Sequence, residues 1–285
     1  MGILDVQIPN RILFGIDALN KVGEVARSCG ERAIIITESE LQDNPFLSQL
    51  KAVMARAGVN TLVFDELQAV SGNETIQNII NMVRASKPHC VVGFGGMKAM
   101  GIARTVAALT TSKISLERYL NGEPVREASL PFITIPSTCR DHFMSQSRFV
   151  LTDGFRQRPV VVQAGLENNR LVVLDPKIST SLSPKYYNVV LLDVLMAAIE
   201  AYLSAQANFH SDLLALKAIE TIGQAYAEVA FNPKDIRPRV RTSEACMLTG
   251  LAIGTTGLGL GGSISLAVNS RYIIPKSWAS TAVVR

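Results

Sequence analysis

Apolar positions along the chain follow two regimes that change near residue 182. In the first, short β-branched runs alternate with segments whose apolar residues recur at helical spacing. Met1 to Phe14 alternate apolar and polar residues up to Gly15 and predict an opening strand or hairpin. A helix opening at Asp17 carries Leu19, Val22, Val25 and Ala26 on one face and stops at Cys29-Gly30. Arg32 to Thr37 (RAIIIT) follows as a short buried strand. The spacing then predicts a helix over Phe46 to Ala57, a strand over Asn60 to Phe64, a helix over Asn73 to Ser86 and a strand ending at Val92. Further strands are expected at Pro131 to Ile135, Phe149 to Thr152, Val160 to Val162 and Leu171 to Leu174, with Asp175-Pro176 closing this part. Such alternation means a parallel sheet with helices on both faces. From Ser183-Pro184 onward the pattern is helical throughout, over Tyr186 to Leu203, Ser211 to Ala230 and Ser243 to Thr256, with a glycine-rich tract from Gly257 to Gly262. The fold class is therefore α/β: a Rossmann-like parallel-sheet domain over 1–182 and an all-helical domain over 183–285.

Cys90 to Ala108 (CVVGFGGMKAMGIARTVAA) organises the first domain: a buried strand, a glycine turn and a helix in direct succession. Such a junction aims backbone N–H groups and the positive end of a helix dipole at whatever lies above it, usually a phosphate. The dinucleotide fingerprint is incomplete, because Gly93, Gly95 and Gly96 are followed by Met97 and Lys98 where a further glycine belongs. Glu38 stands at the carboxyl end of its strand, where an acid either takes hydrogen bonds from the ribose hydroxyls of an adenine nucleotide or caps a helix. The polar turn from Pro136 to Arg148 follows the next strand and is expected to face the same crevice as the glycine turn.

Composition narrows the classes. The chain has 285 residues, 48% hydrophobic and 18% charged, with a net charge of +4 spread along its length, which fits two packed cores and not disorder. The densest basic segment, Lys234 to Arg241 (KDIRPRVR), has no interleaved aromatics and is expected to be a solvated loop, so no nucleic-acid partner is expected. Cys29, Cys90, Cys139 and Cys246 lack paired metal spacing and suggest a reduced, cytoplasmic protein. Cys90 and Cys246 sit in apolar company and are expected in the core. The longest apolar run, Val189 to Leu203, is interrupted by Asp193 and Glu200, so no membrane partner is expected. His89 and His210 have no nameable partner in sequence.

Read together, the GG turn, the IPST turn at 135–138, the DP boundary and the helical half beginning LLDVLMAAIEAY resemble the iron-containing (metal-dependent, group III) alcohol dehydrogenase family, over nearly the whole chain. The resemblance implies a nicotinamide dinucleotide, NAD or NADP, on the turn of Gly95, Gly96, Met97 and Lys98. It also implies one divalent metal, iron or zinc, held by an aspartate and three histidines of the helical domain. The aspartate falls at Asp193, whereas the histidine positions fall at Ala197, Gly262 and Lys276, and a further histidine near the substrate falls at Leu266. One carboxylate facing a lysine cannot supply the three or four donors that such a metal needs. Lys276 then either places its ammonium in the vacated site and pairs with Asp193 or lies on the surface. On the cofactor side, Met97 replaces a glycine, Gly101 stands at an aspartate and Arg104 keeps a cation at a lysine. The family's small second turn has become Ser137-Thr138-Cys139-Arg140-Asp141-His142-Phe143-Met144. Glu38, Gly95, Gly96 and Thr138 are the retained elements, with Arg140, Lys98 and Thr138 available to phosphate oxygens. The family normally continues past the segment ending at Ser277, so a shortened helical domain implies either an apolar face left for a partner or a second copy, or a locally rebuilt fold, with a homodimer the default expectation.

Two functions follow from the resemblance. One is an NAD(P)-dependent oxidoreductase acting on a small alcohol or aldehyde, with Lys276 or His142 polarising the carbonyl oxygen in place of the metal. The other is a catalytically degenerate nucleotide-binding or scaffold protein of the same fold. A third arrangement, in which Cys139, Asp141 and His142 provide thiol, base and acid, needs near neighbours in sequence to converge on one atom.

Overall fold

The computed structural model describes residues 11–68, 72–144, 146–163, 169–272 and 274–283. The chain divides into two compact units, each outlined here by its described residues. One comprises residues up to Ser137 together with Ser147–Asp175; the other comprises Thr138–Gln146 and everything from Pro176. The helical unit therefore begins at Pro176, earlier than the boundary expected near Leu182, and the loop after Ser137 belongs with it. Most of the opening segment expected as a strand or hairpin lies outside the described residues.

The first unit holds β1 (Ile12–Phe14), α1 (Val22–Cys29), β2 (Arg32–Glu38), α2 (Pro45–Arg56), β3 (Asn60–Leu67), α3 (Asn73–Ser86), β4 (Cys90–Gly95), α4 (Met97–Thr111), α5 (Leu116–Leu120), β5 (Phe132–Pro136), β6 (Arg148–Asp153), β7 (Arg158–Gln163) and β8 (Asn169–Leu174). Six strands form one parallel sheet in the order β1-β8-β5-β4-β2-β3. Every residue of β4 is buried. A strand with neighbours on both sides and helices over both faces must be apolar throughout, and each fully buried Val or Phe contributes roughly 1.5–3 kcal/mol. The strands expected at 149–152 and 160–162 do not join the sheet. They pair with each other as the antiparallel hairpin β6-β7, in which fully buried positions alternate with more exposed ones along β6. The helix expected from Asp17 begins instead with a single 3-10 turn, Ala18–Lys21, and becomes regular only at Val22.

The second unit holds α6 (Pro184–Tyr202), α7 (Phe209–Phe231), α8 (Ile236–Thr256), α9 (Leu260–Arg271) and α10 (Lys276–Val283). Sequence chemistry sets the starts. Ser183 accepts from Tyr186 N ahead of Pro184, and Asn208 and Ser211 form a capping box. Tyr187, Val190, Leu191, Val194 and Ala198 of α6 form one core with Ala218, Ile222 and Val229 of α7 and Ala245 and Cys246 of α8. α9 and α10 pack on α6 and on each other. The basic segment 234–241 is not a loop. Asp235 caps α8 by accepting from Arg237 N at 3.0 Å, Pro238 fits the first turn, and Arg239 is buried with its guanidinium 4.3 Å from the Tyr187 ring centroid. Among the described residues no single helix is long and apolar enough to cross a membrane.

Candidate functional site

At the carboxyl end of β4, Gly95 has φ +147° and Gly96 precedes the first turn of α4. The N–H groups exposed there need an acceptor, and Glu38, the last residue of the neighbouring strand β2, supplies it. Its two carboxylate oxygens accept from Gly96 N at 3.0 and 3.1 Å, and Oε1 also accepts from Ala99 N at 3.3 Å. Of the two roles expected of Glu38, the structure displays the helix cap. A Cβ on Gly95 would fall 1.8 Å from a Glu38 carboxylate oxygen, so only glycine lets this carboxylate seat itself on the helix. Burial raises the Glu38 carboxyl to about 7, against the pull of the Gly96 and Ala99 N–H groups. Lys98 turns its ammonium to the Gln68 carbonyl. Arg104 is buried with its guanidinium 5.8 Å from the Phe149 ring centroid. The backbone donors of this turn suit a phosphate, and the chain's own carboxylate fills the position.

In the helical unit, Asp193 is wholly buried on the inner face of α6. Arg140 Nη1 donates to its Oδ2, Lys276 Nζ to its Oδ1 at 2.5 Å, and Ser280 Oγ to the same Oδ1. His142 Nε2 stands 3.6 Å from Oδ2. Lys276 is therefore buried and paired, not on the surface. Arg140, expected beside phosphate oxygens, is turned inward to the same carboxylate. Ser280 was not anticipated, although its spacing of four from Lys276 sets both on one face of α10.

The charges explain the protonation pattern. Burial, and next the Arg140 guanidinium, push the Lys276 ammonium well below its ordinary range, while Glu200 pulls the other way. Burial, then Lys276 and Arg140, hold the His142 imidazole neutral. Burial also lowers Arg140. One carboxylate faces two buried basic groups, and burial together with their mutual repulsion disfavours charge on both. Both ring nitrogens of His142 and the Thr138 hydroxyl are buried without a hydrogen-bond partner. Asp141 accepts from Phe143 N of its own loop at 2.9 Å.

The residues present do not suit a divalent metal at Asp193. Both of its oxygens already accept hydrogen bonds from basic side chains, Arg140 and Lys276, and among the described residues no group of three or more His, Cys, Asp or Glu side chains is placed to hold an ion. Ala197 and Gly262 have no donor atom, and the backbone N–H of Gly262 is used by a Glu200 carboxylate oxygen at 3.1 Å.

Comparison with known proteins joins these parts. Residues 9–176 match the family model for iron-containing alcohol dehydrogenase, and residues 190–284 match that for the C-terminal part of the same family. The NAD-dependent methanol dehydrogenase of Bacillus methanolicus is 23% identical over 266 residues, covering 93% of this chain and 70% of that protein. Long-chain-alcohol dehydrogenase 1 of Geobacillus thermodenitrificans is 26% identical, with 90% and 66% covered. The chain thus spans about two thirds of the length of these relatives. The fold superposes on a 1,3-propanediol oxidoreductase with a TM-score of 0.91 at 20% identity, covering 98% of this chain and 73% of that one. It also superposes on sulfoacetaldehyde reductase from Bifidobacterium kashiwanohense in complex with NAD+, with a TM-score of 0.88 at 22% identity and 98% and 74% covered. On both family models, this chain belongs to the iron-containing alcohol dehydrogenase family.

Proposed function

We propose that this chain is a member of the family that has left metal-dependent alcohol and aldehyde chemistry and keeps the fold as a nucleotide-binding or scaffold protein. The observation that carries the reading is the state of Asp193. Its two oxygens accept from Arg140, Lys276 and Ser280, so a metal would have to displace a buried guanidinium and a buried amine to gain a single carboxylate. A family dehydrogenase uses a bound nicotinamide to supply the hydride. Here Gly95, Gly96 and the first turn of α4 would hold the phosphates of such a nucleotide once Glu38 has moved away, with Lys98 beside them.

The test is turnover. Purified protein supplied with iron(II) or zinc and NAD(H) is expected to show no metal-dependent oxidation of short alcohols and no metal-dependent reduction of their aldehydes. Activity that appears with metal and vanishes with chelator would contradict the reading.

A second reading draws on the two unpartnered ring nitrogens of His142. In it the chain is a metal-free oxidoreductase in which the neutral imidazole exchanges a proton at the substrate oxygen. NADH oxidation by an aldehyde in chelator-treated protein, abolished in His142→Ala, would support it. Absence of any turnover would leave the first reading standing.

A further inference from the structure

Within the first unit, α3 and α4 pack side by side, and where α4 ends they leave a cleft of about 490 Å³ that neither reading uses. Leu109, in its wall, lies roughly 20 Å along α4 from Gly96, so the cleft is remote from the Glu38 seat. The last carbonyls of a helix need donors from outside it. Arg84, in the final turn of α3, supplies them: Nε donates to the Thr110 carbonyl at 3.1 Å, and Nη2 to those of Leu109 and Ser112 at 2.7 and 2.9 Å. These three bonds fix the guanidinium plane and leave Nη1 with no acceptor among the described residues. Lys113 lines the same cleft, and its ammonium forms no hydrogen bond or ion pair among the described residues. Ser115 Oγ accepts from Arg118 N at 3.3 Å, which leaves its hydroxyl hydrogen to donate. Ile80 and Leu109 are buried in the wall and Ile114 is half-buried.

We propose that this cleft binds a small organic phosphate monoester, with the phosphate on Arg84, Lys113 and Ser115 and the carbon body on Ile80, Leu109 and Ile114. Two cations without a carboxylate partner match a dianion, which a monocarboxylate is not. A guanidinium already held in one plane presents its remaining N–H groups to phosphate oxygens with little further ordering, and an ammonium adds a mobile point charge. The size of the cleft requires the carbon body: about 490 Å³ lies in the range of small-molecule sites and far exceeds what a bare inorganic ion fills. One acid opposes the ligand. Glu127, exposed, accepts from Ser112 Oγ at 2.8 Å and so touches the wall of the cleft. Its charge weakens the site without occupying Arg84 or Lys113.

The experiment titrates the isotope-labelled full chain with monobutyl phosphate at pH 8 and low salt, following backbone amide resonances, with inorganic phosphate and butanol in parallel. Expected are saturable shifts centred on residues 112–116, binding of inorganic phosphate weaker by about tenfold and no binding of butanol. Arg84→Gln would also strip the end of α4 of three hydrogen bonds, so Lys113→Gln carries the test. It should leave the melting temperature unchanged and weaken the ester by about tenfold, whereas Glu127→Gln should tighten it by about threefold. Four results would each overturn the proposal: no saturable binding, shifts confined to residues 95–99, equal affinity for inorganic phosphate, which would mean an adventitious ion only, or unchanged affinity in Lys113→Gln.

Discussion

Glu38 and Asp193 are both carboxylates held by the chain's own donors, yet the two regions differ in what holds them. Glu38 rests on neutral backbone N–H groups at a helix end, half-buried, where a phosphate would make the same hydrogen bonds. Asp193 is wholly buried between the Arg140 guanidinium, Lys276 Nζ and the Ser280 hydroxyl, where any replacement must first leave the buried guanidinium without its anion. Exchange is cheap at the first and costly at the second. On the proposed function, the Glu38 seat can be exchanged for a nucleotide phosphate whereas the Asp193 cluster cannot be exchanged for a metal.

The largest effect is expected at the sealed end. Asp193→Asn keeps the volume and removes the charge that balances Arg140, and it should lower stability in urea unfolding by about 3–5 kcal/mol. A loss under about 1 kcal/mol would mean that the cluster is solvated and that the contrast with Glu38 is false.

Next is a pH effect. His142 is held neutral in the folded protein, so its folded pKa lies below the ordinary value near 6.5. Its contribution is complete above pH 6.5 and is lost as the pH falls, because the unfolded chain takes up a proton that the folded one refuses. Between pH 6.5 and 5 this should cost up to about 1.4 kcal/mol per pH unit. His142→Phe should flatten that slope, and an unchanged slope would show that the imidazole is not sealed with Asp193.

At the reversible end, Glu38→Ala should bind inorganic pyrophosphate and NADH about tenfold more tightly, since one charged competitor leaves the α4 N-terminus. Glu38→Asp separates the causes: it keeps the charge but is too short to seat on Gly96, so it should bind like Glu38→Ala. Weaker NADH binding in Glu38→Ala would instead assign Glu38 to the ribose. Smallest is Lys276→Met, which leaves Arg140 and Asp193 paired one to one and should change stability by less than about 1 kcal/mol. A loss as large as that of Asp193→Asn would show that Lys276 is needed as a full cation.

The sequence was legible where local pattern decides. The central strands, the GG turn and α6 follow from β-branched runs, glycine placement and 3.6-residue spacing. It was misleading where a distant partner decides. The segment 234–241 reads as a charged loop because Arg239 is counted as a surface cation, and its burial is explained by the Tyr187 ring and by the Pro233 and Ser179 carbonyls, to which it donates at 2.8 and 2.6 Å. The strands at 149–152 and 160–162 have apolar runs like those of the sheet, and nothing in their composition tells parallel neighbours from a separate hairpin. At the site, the pairing of Lys276 with Asp193 follows from the family positions, but Arg140 reads equally well as a phosphate ligand until its loop is placed with the helices. Glu38 illustrates the limit differently: its two roles use the same atoms, and only the distance to Gly96 distinguishes them.

The most direct measurement is elemental analysis of the purified protein after incubation with excess iron(II) or zinc and removal of the unbound ion. Asp193, occupied by Arg140, Lys276 and Ser280, should leave the protein with far less than one metal ion per chain. One ion per chain, lost in Asp193→Asn variants that remain folded, would contradict the account, because it would show that Arg140 and Lys276 yield the carboxylate to a metal.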